Sequence, residues 1–119
     1  MTEGELKQRT KQFALRVMAL VAALPNTVVS RAIGGQLVRS GTSVGANYRS
    51  ACRGKSKADF SAKIAISEEE ADESAYWLEL IIEGRLLAST QVEPLLAEAN
   101  ELAKIMSASR RTSRMNPNN

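Results

Sequence analysis

Apolar side chains recur at intervals of three, four and seven along four stretches of this chain, and the breaks between stretches fall at proline, glycine and hydroxyl-bearing residues. The first stretch, about Gly4 to Ala23, sets Leu6, Phe13, Val17, Leu20 and Leu24 on one helical face, opened by Thr2 with Glu5 three positions on. Pro25 disfavours helical geometry at Leu24, so the helix ends there and Asn26 or Thr27 caps the next. The second stretch, about Val28 to Arg53, stops at Gly54. On a helical wheel Ile33, Leu37, Val44, Tyr48 and Ala51 share an arc of about 60°, while Arg31, Arg39, Arg49 and Arg53 share one of about 80° nearly opposite. Between these faces Gly34, Gly41, Gly45 and Cys52 form one narrow line. Each glycine disfavours a helix by about 1 kcal/mol relative to alanine, which close approach of a neighbouring helix would offset.

The third stretch opens with Ser56 as cap and Asp59 in the first turn and continues to about Leu87. Its stripe is Phe60, Ile64, Ala71, Ala75, Leu78 and Ile82, with Glu69, Asp72, Glu79 and Glu83 on the opposite side. A second apolar set, Ile66, Trp77 and Ile81, lies off the stripe and is expected at a subunit contact, where Trp and Tyr are enriched. The fourth stretch, about Glu93 to Ala108, starts after Thr90 with Glu93 at the capping-box position and carries Leu95, Ala99, Leu102 and Met106. Residues 109–119 turn to Ser, Arg, Asn and Pro and are expected to form a disordered basic tail. Four amphipathic helices with short connections predict an all-α fold, an antiparallel up-down four-helix bundle over residues 1–108. There is no strand alternation and no internal repeat.

Composition narrows the chemistry. At 119 residues, 44% hydrophobic but only 4% aromatic, the chain supports one domain whose core is built from Leu, Ile, Val and Ala. With no His and a single Cys, it has no disulfide framework, none of the usual zinc sites and no His-dependent acid, base or triad. The acidic run from Glu68 to Glu73 lacks the Glu-x-x-His motif of di-metal bundles, so no metal is assigned, although a magnesium site of one or two carboxylates stays open. Cys52 sits among Arg49 and Arg53, which can activate a thiol; without a His base it reads as a small residue at a packed interface. Ser40, Ser43 and Ser50 also lack a base and read as helix polar positions. Neither cofactor nor small-molecule substrate is expected, and the chain reads as no enzyme. No run approaches the roughly 18 apolar residues of a membrane span, and the N-terminus is too polar for a signal peptide, so a cytoplasmic protein is expected.

Charge is segregated along the chain. Residues 1–58 hold ten Lys/Arg and two acids, residues 59–102 two and eleven, and residues 103–119 four and none. The nucleic-acid reading takes Arg39, Arg49, Arg53, Lys55 and Lys57, with Arg31 on the same face, as a phosphate-facing strip that displaces counterions, joined by Arg110, Arg111 and Arg114. The rival reading makes the same strip a solvated face, or one paired with the carboxylates of the third helix. Base-specific readout and stacking are not expected, because only Tyr48 is interleaved with these cations and it falls on the apolar arc.

The stretch Gln36-Leu37-Val38-Arg39-Ser40-Gly41-Thr42-Ser43-Val44-Gly45-Ala46-Asn47-Tyr48-Arg49 resembles the central motif of the four-helix-bundle proteins known from intervening sequences in bacterial 23S ribosomal RNA genes. Leu24-Pro25 before it, Ser56 to Phe60 after it and Glu73-x-x-Tyr76-Trp77-Leu78 resemble further family positions, so the likeness covers most of residues 10–90. It departs from the common pattern at Cys52-Arg53-Gly54-Lys55, where Glu and Gly often stand, leaving a more basic junction. The resemblance implies an up-down four-helix bundle that assembles as a homopentamer, and it does not imply catalysis. A related branch, the accessory proteins of diversity-generating retroelements, binds nucleic acid and a reverse transcriptase. Two functions are therefore expected to compete: a homo-oligomer that binds RNA or DNA by its phosphates, and an assembly or adaptor protein whose charges recognise protein.

Overall fold

The computed structural model describes residues 1–115, with side chains as far as Ser113. Its four helices are α1 (Glu3–Ala22), α2 (Val28–Cys52), α3 (Lys57–Glu83) and α4 (Ser89–Met115). They run up and down in a rod of 51 × 20 × 20 Å. Consecutive helices are neighbours, α1 and α4 touch least, and α1 and α3 lie on the diagonal. Among the described residues no helix is long and apolar enough to cross a membrane.

Three helices begin at hydroxyl caps. Thr2, Thr27 and Ser56 accept the amides of Glu5, Ser30 and Asp59, each at 3.1 Å. Of the expected core, Phe13, Val17, Leu37, Val44, Ile64, Leu78, Leu102 and Met106 are fully buried, whereas Leu20, Leu24, Ile33, Phe60 and Ile82 are only partly buried against them. The small-residue line of α2 faces α1, as its spacing requires. A Cβ at Gly41 would come within 2.8 Å of Val17 Cγ2, one at Gly45 within 3.0 Å of Thr10 Oγ1, and one at Gly34 within 3.0 Å of Val21 Cγ1. The lost helix propensity of these glycines is thus exchanged for close packing between α1 and α2.

Helix α3 departs from the expected pattern on one face. Ile81, expected at a subunit contact, is fully buried inside the bundle. It continues a row with Ser67 and Ser74 at heptad spacing, and this row meets α2 through two serines. Ser67 Oγ donates to the Val44 carbonyl at 2.8 Å, and Ser74 Oγ to Ser40 Oγ at 2.9 Å. Because hydroxyls that are paired across the helix interface can be buried without loss, a polar pattern conceals a core face here.

The end of α3 is also earlier than Leu87. Leu86 N–H donates to the Ile81 carbonyl and Arg85 N–H to that of Ile82, both at 3.0 Å, which closes the helix with Arg85 at φ 57°. A left-handed conformation disfavours a residue with a Cβ by about 1 kcal/mol or more. Arg85→Gly should therefore raise stability by about 1 kcal/mol, read as a higher urea midpoint with an unchanged slope.

Helix α4 differs at both ends. It starts at Ser89 because Gln91 closes the first turn, with Ala88 N–H donating to Gln91 Oε1 at 3.3 Å. Pro94 consequently lies inside the helix, where its missing N–H leaves the Thr90 carbonyl to solvent on an exposed turn. At the other end the helix continues to Met115, so residues 109–115 of the expected disordered tail are helical. The Arg110–Glu68 ion pair, 2.9 Å, ties this extension to α3. Residues 116–119, the remainder of that tail, lie outside the described residues.

Candidate nucleic-acid interface

An antiparallel bundle brings the N-termini of α1 and α3 together with the C-termini of α2 and α4. This shared end, the foot, is where most of the cations without a carboxylate partner among the described residues collect. Arg49 closes the last turn of α2, Arg53 caps it, and Lys55 and Lys57 follow on the turn into α3. Arg49, Arg53 and Lys55 are exposed and Lys57 is half-buried. Among the described residues none of the four has a carboxylate within 4.0 Å.

The expected strip along α2 is not continuous. Arg31 lies at the far end of the helix, where its Nη1 donates to Asn26 Oδ1 at 2.7 Å. Arg39, expected among the phosphate-facing cations, is instead held against α3. Its Nη1 reaches Glu70 Oε2 at 2.9 Å and its Nη2 pairs with Glu73. The rival reading of the strip, pairing with the third helix, thus describes Arg39, whereas residues 49–57 remain free. Arg110 is paired with Glu68, and Arg111 donates to Ser107 Oγ at 3.3 Å. The side chain of Arg114 lies outside the described ones.

Two cations missing from the sequence reading join the foot. Lys7 and Lys11 of α1 line one groove with Arg49. The α1–α2 hairpin pairs positions whose numbers sum to about 56, as Thr10 with Gly45 shows, and counting back from the Pro25 turn would have found Lys7 and Lys11. The acids of the foot are few. Glu3 lies 3.9 Å from Lys7 Nζ, Glu5 belongs to the Thr2 cap, and Asp59 Oδ2 accepts the Lys55 amide at 3.3 Å. Burial, and after it a hydrogen bond with Glu3, pushes the Cys52 thiol up from its ordinary range, outweighing a bond with Tyr48 that acts downward. The neighbouring arginines therefore do not make Cys52 a thiolate nucleophile.

On the outer flank of α3, Ile66 is 41% exposed and Trp77 half-buried, its Nε1 donating to Glu73 Oε2 at 3.0 Å. Exposed Tyr76 stands edge-on to Trp77, with ring centroids 5.2 Å apart. Further exposed apolar side chains, which the core pattern did not reveal, are Leu15 and Met18 of α1 and Val28 and Val29 at the start of α2.

A family model described as 23S rRNA-intervening sequence protein matches residues 2–108. The fold is similar to the crystal structure of a protein with unknown function from the S23 ribosomal protein family of Bacteroides thetaiotaomicron VPI-5482. The two chains are 34% identical, the match covers 93% of this chain and 99% of that one, and the TM-score is 0.84. Among curated proteins none matches.

Proposed function

This chain belongs to the 23S rRNA-intervening sequence protein family, and from that premise we propose that it is a non-enzymatic, homo-oligomeric bundle that holds RNA or DNA by its phosphates. The observation that carries this reading is the gathering of Arg49, Arg53, Lys55 and Lys57 at one end of the rod, free of carboxylate partners among the described residues and flanked by Lys7 and Lys11. Cations left unpaired on a protein with eleven acids between residues 59 and 102 are a feature the fold itself does not require. Phosphate backbones recruit such clusters by releasing condensed counterions, without reading bases.

Assembly rests on a different observation. The apolar side chains of Ile66 and Trp77 on α3 and of Leu15 and Met18 on α1 lie on diagonally opposed helices. Joining one of these surfaces to the other is a heterologous contact, which closes into a ring when the rotation between successive copies divides a full turn and otherwise builds an open filament. A homopentamer is the ring that the family resemblance implies, and a reverse transcriptase is the protein partner implied for the related branch. The proposed nucleic-acid role is tested by filter binding of a single-stranded RNA across a salt series. Retention at 50 mM salt that falls steeply by 200 mM is expected; no retention at low salt, or affinity indifferent to salt, rejects it.

A further inference from the structure

A groove of about 200 Å³ runs up from the foot between α1 and α2, with Lys7 and Lys11 on one wall, Arg49 and Thr42 on the other, and Gly45 and Ala46 between them. Its form follows from the small-residue line of α2. A Cβ at Gly45 would stand only 3.0 Å from Thr10 Oγ1, so the two helices nearly touch there and the longer side chains beside the contact overhang one cleft. No carboxylate lines it. Lys7 and Lys11, four apart on one helix, repel each other, and Arg49 adds a third positive charge from the opposite wall. Against these stands one acid, Glu3, 3.9 Å from Lys7 Nζ and itself largely exposed. Lys11 and Arg49 have no carboxylate within 4.0 Å among the described residues. Both are exposed, and the Lys7 side chain is 41% exposed, which leaves the three cations open to a ligand.

The hydroxyls distinguish this groove from a surface that is only basic. A threonine hydroxyl has one proton to give and two lone pairs that accept. Thr42 Oγ1 gives its proton to the Val38 carbonyl at 2.7 Å, and Thr10 Oγ1 donates to the Leu6 and Lys7 carbonyls of its own helix at 3.0 Å. Thr10 is fully buried, whereas Thr42 is half-buried on the groove wall. The groove thus presents three cationic donors and, on the same face of α2 as Arg49 and about 10 Å along it, one neutral acceptor. An anion with a hydroxyl beside it matches both kinds of group, and a ribonucleotide unit carries that pair. We infer that the groove binds the ribose-phosphate backbone of single-stranded RNA, with Lys7, Lys11 and Arg49 on the phosphates and Thr42 Oγ1 accepting from a 2′-hydroxyl. The chain therefore prefers RNA to DNA, since the 2′-hydroxyl is the group by which a protein tells the two apart. The occupant rests on the proposed nucleic-acid role, which it narrows to RNA.

Filter binding of three strands of equal length at about 50 mM salt tests the groove: oligouridylate, oligodeoxyuridylate and 2′-O-methyl oligouridylate. The three carry the same backbone charge and hydrogen-bonding base edge, and only the first can donate a 2′-hydrogen bond. Oligouridylate is expected to bind about fivefold more tightly than the other two, the contribution of one neutral hydrogen bond. Thr42→Val keeps the shape of the side chain and loses only a hydroxyl bonded within its own helix, so the fold persists and the three affinities become equal. Thr42→Ser should restore the preference. Lys11→Met should weaken all three alike and make the salt dependence shallower by about 1. Equal affinities in the parent chain with a steep salt dependence overturn the ribose contact and leave phosphate binding at the foot standing. A preference for oligouridylate that survives Thr42→Val does the same. Retention of none of the three strands overturns the nucleic-acid role itself, and the occupant of the groove with it.

Discussion

Gly41→Leu is expected to lower the stability of the bundle by about 3 kcal/mol, whereas Gly35→Ala in the same helix raises it by about 1 kcal/mol. Both replacements relieve a mid-helix glycine, so the propensity gain is common to the two. Their surroundings differ. A Cβ at position 41 would stand 2.8 and 2.9 Å from the two methyls of Val17, while position 35 has nothing within 4 Å. Val17 is fully buried, and a β-branched side chain in a helix has one strongly preferred rotamer, so it cannot swing away. Helix α1 must move instead, and with it the Arg9–Glu98 pair, whose Nε–Oε2 and Nη2–Oε1 bonds of 2.7 Å tie it to α4. Against a typical total of about 5–15 kcal/mol, the loss is a large fraction of the stability. Urea midpoints moving in opposite directions at constant slope are the expected reading; a Gly41→Leu midpoint equal to the parent's would place α1 elsewhere.

Reversing two foot cations, Arg49→Glu with Arg53→Glu, is expected to weaken RNA binding at 50 mM salt by about a hundredfold or more. Four phosphate contacts correspond to a fall of about a hundredfold between 50 and 200 mM salt, and removing two of them makes the slope shallower by about 2. Neither arginine has a carboxylate partner among the described residues, so no ion pair of the fold is lost. Placing acids at the C-terminus of α2 opposes its dipole by about 0.3–1 kcal/mol each, small enough for helical circular dichroism to persist. Elution from a sizing column should not change, since the apolar patches around Trp77 and Met18 lie away from the foot. If the oligomer dissociates and RNA is still retained, the charges serve assembly, and the adaptor reading replaces the nucleic-acid one.

The architecture was legible because helix signals and helix packing agree in this chain. Thr2, Thr27 and Ser56 cap where their spacing to the following turn predicts, and the glycine line of α2 meets α1 as its single-file arrangement requires. Hydropathy failed where polarity is satisfied internally. Ser67 and Ser74 disguised the α2-facing row of α3, and with it the core position of Ile81. Helix ends failed where unexpected residues made the turn: Arg85 took the left-handed position beyond Gly84, and Gln91 started α4 upstream of a proline.

The site was legible in part for an analogous reason. Angular position on α2 placed its arginines on one flank but carried no information about which had partners across the bundle. Glu70 and Glu73 lie 31 and 34 positions beyond Arg39 in the chain, and only the registry of α2 against α3 brings them together. Lys7 and Lys11 were hidden because their contribution depends on the α1–α2 hairpin register, not on the periodicity of their own helix.

That nucleic acid lies against the foot is tested most directly by photo-cross-linking a uridine-rich RNA to the full protein and mapping the modified peptides by mass spectrometry. Adducts should concentrate on residues 45–58 and on the first turns of α1, near Arg49, Arg53 and Lys11. Adducts on the acidic flank of α3 around Glu79, or around Arg31 at the opposite end of the rod, would contradict it.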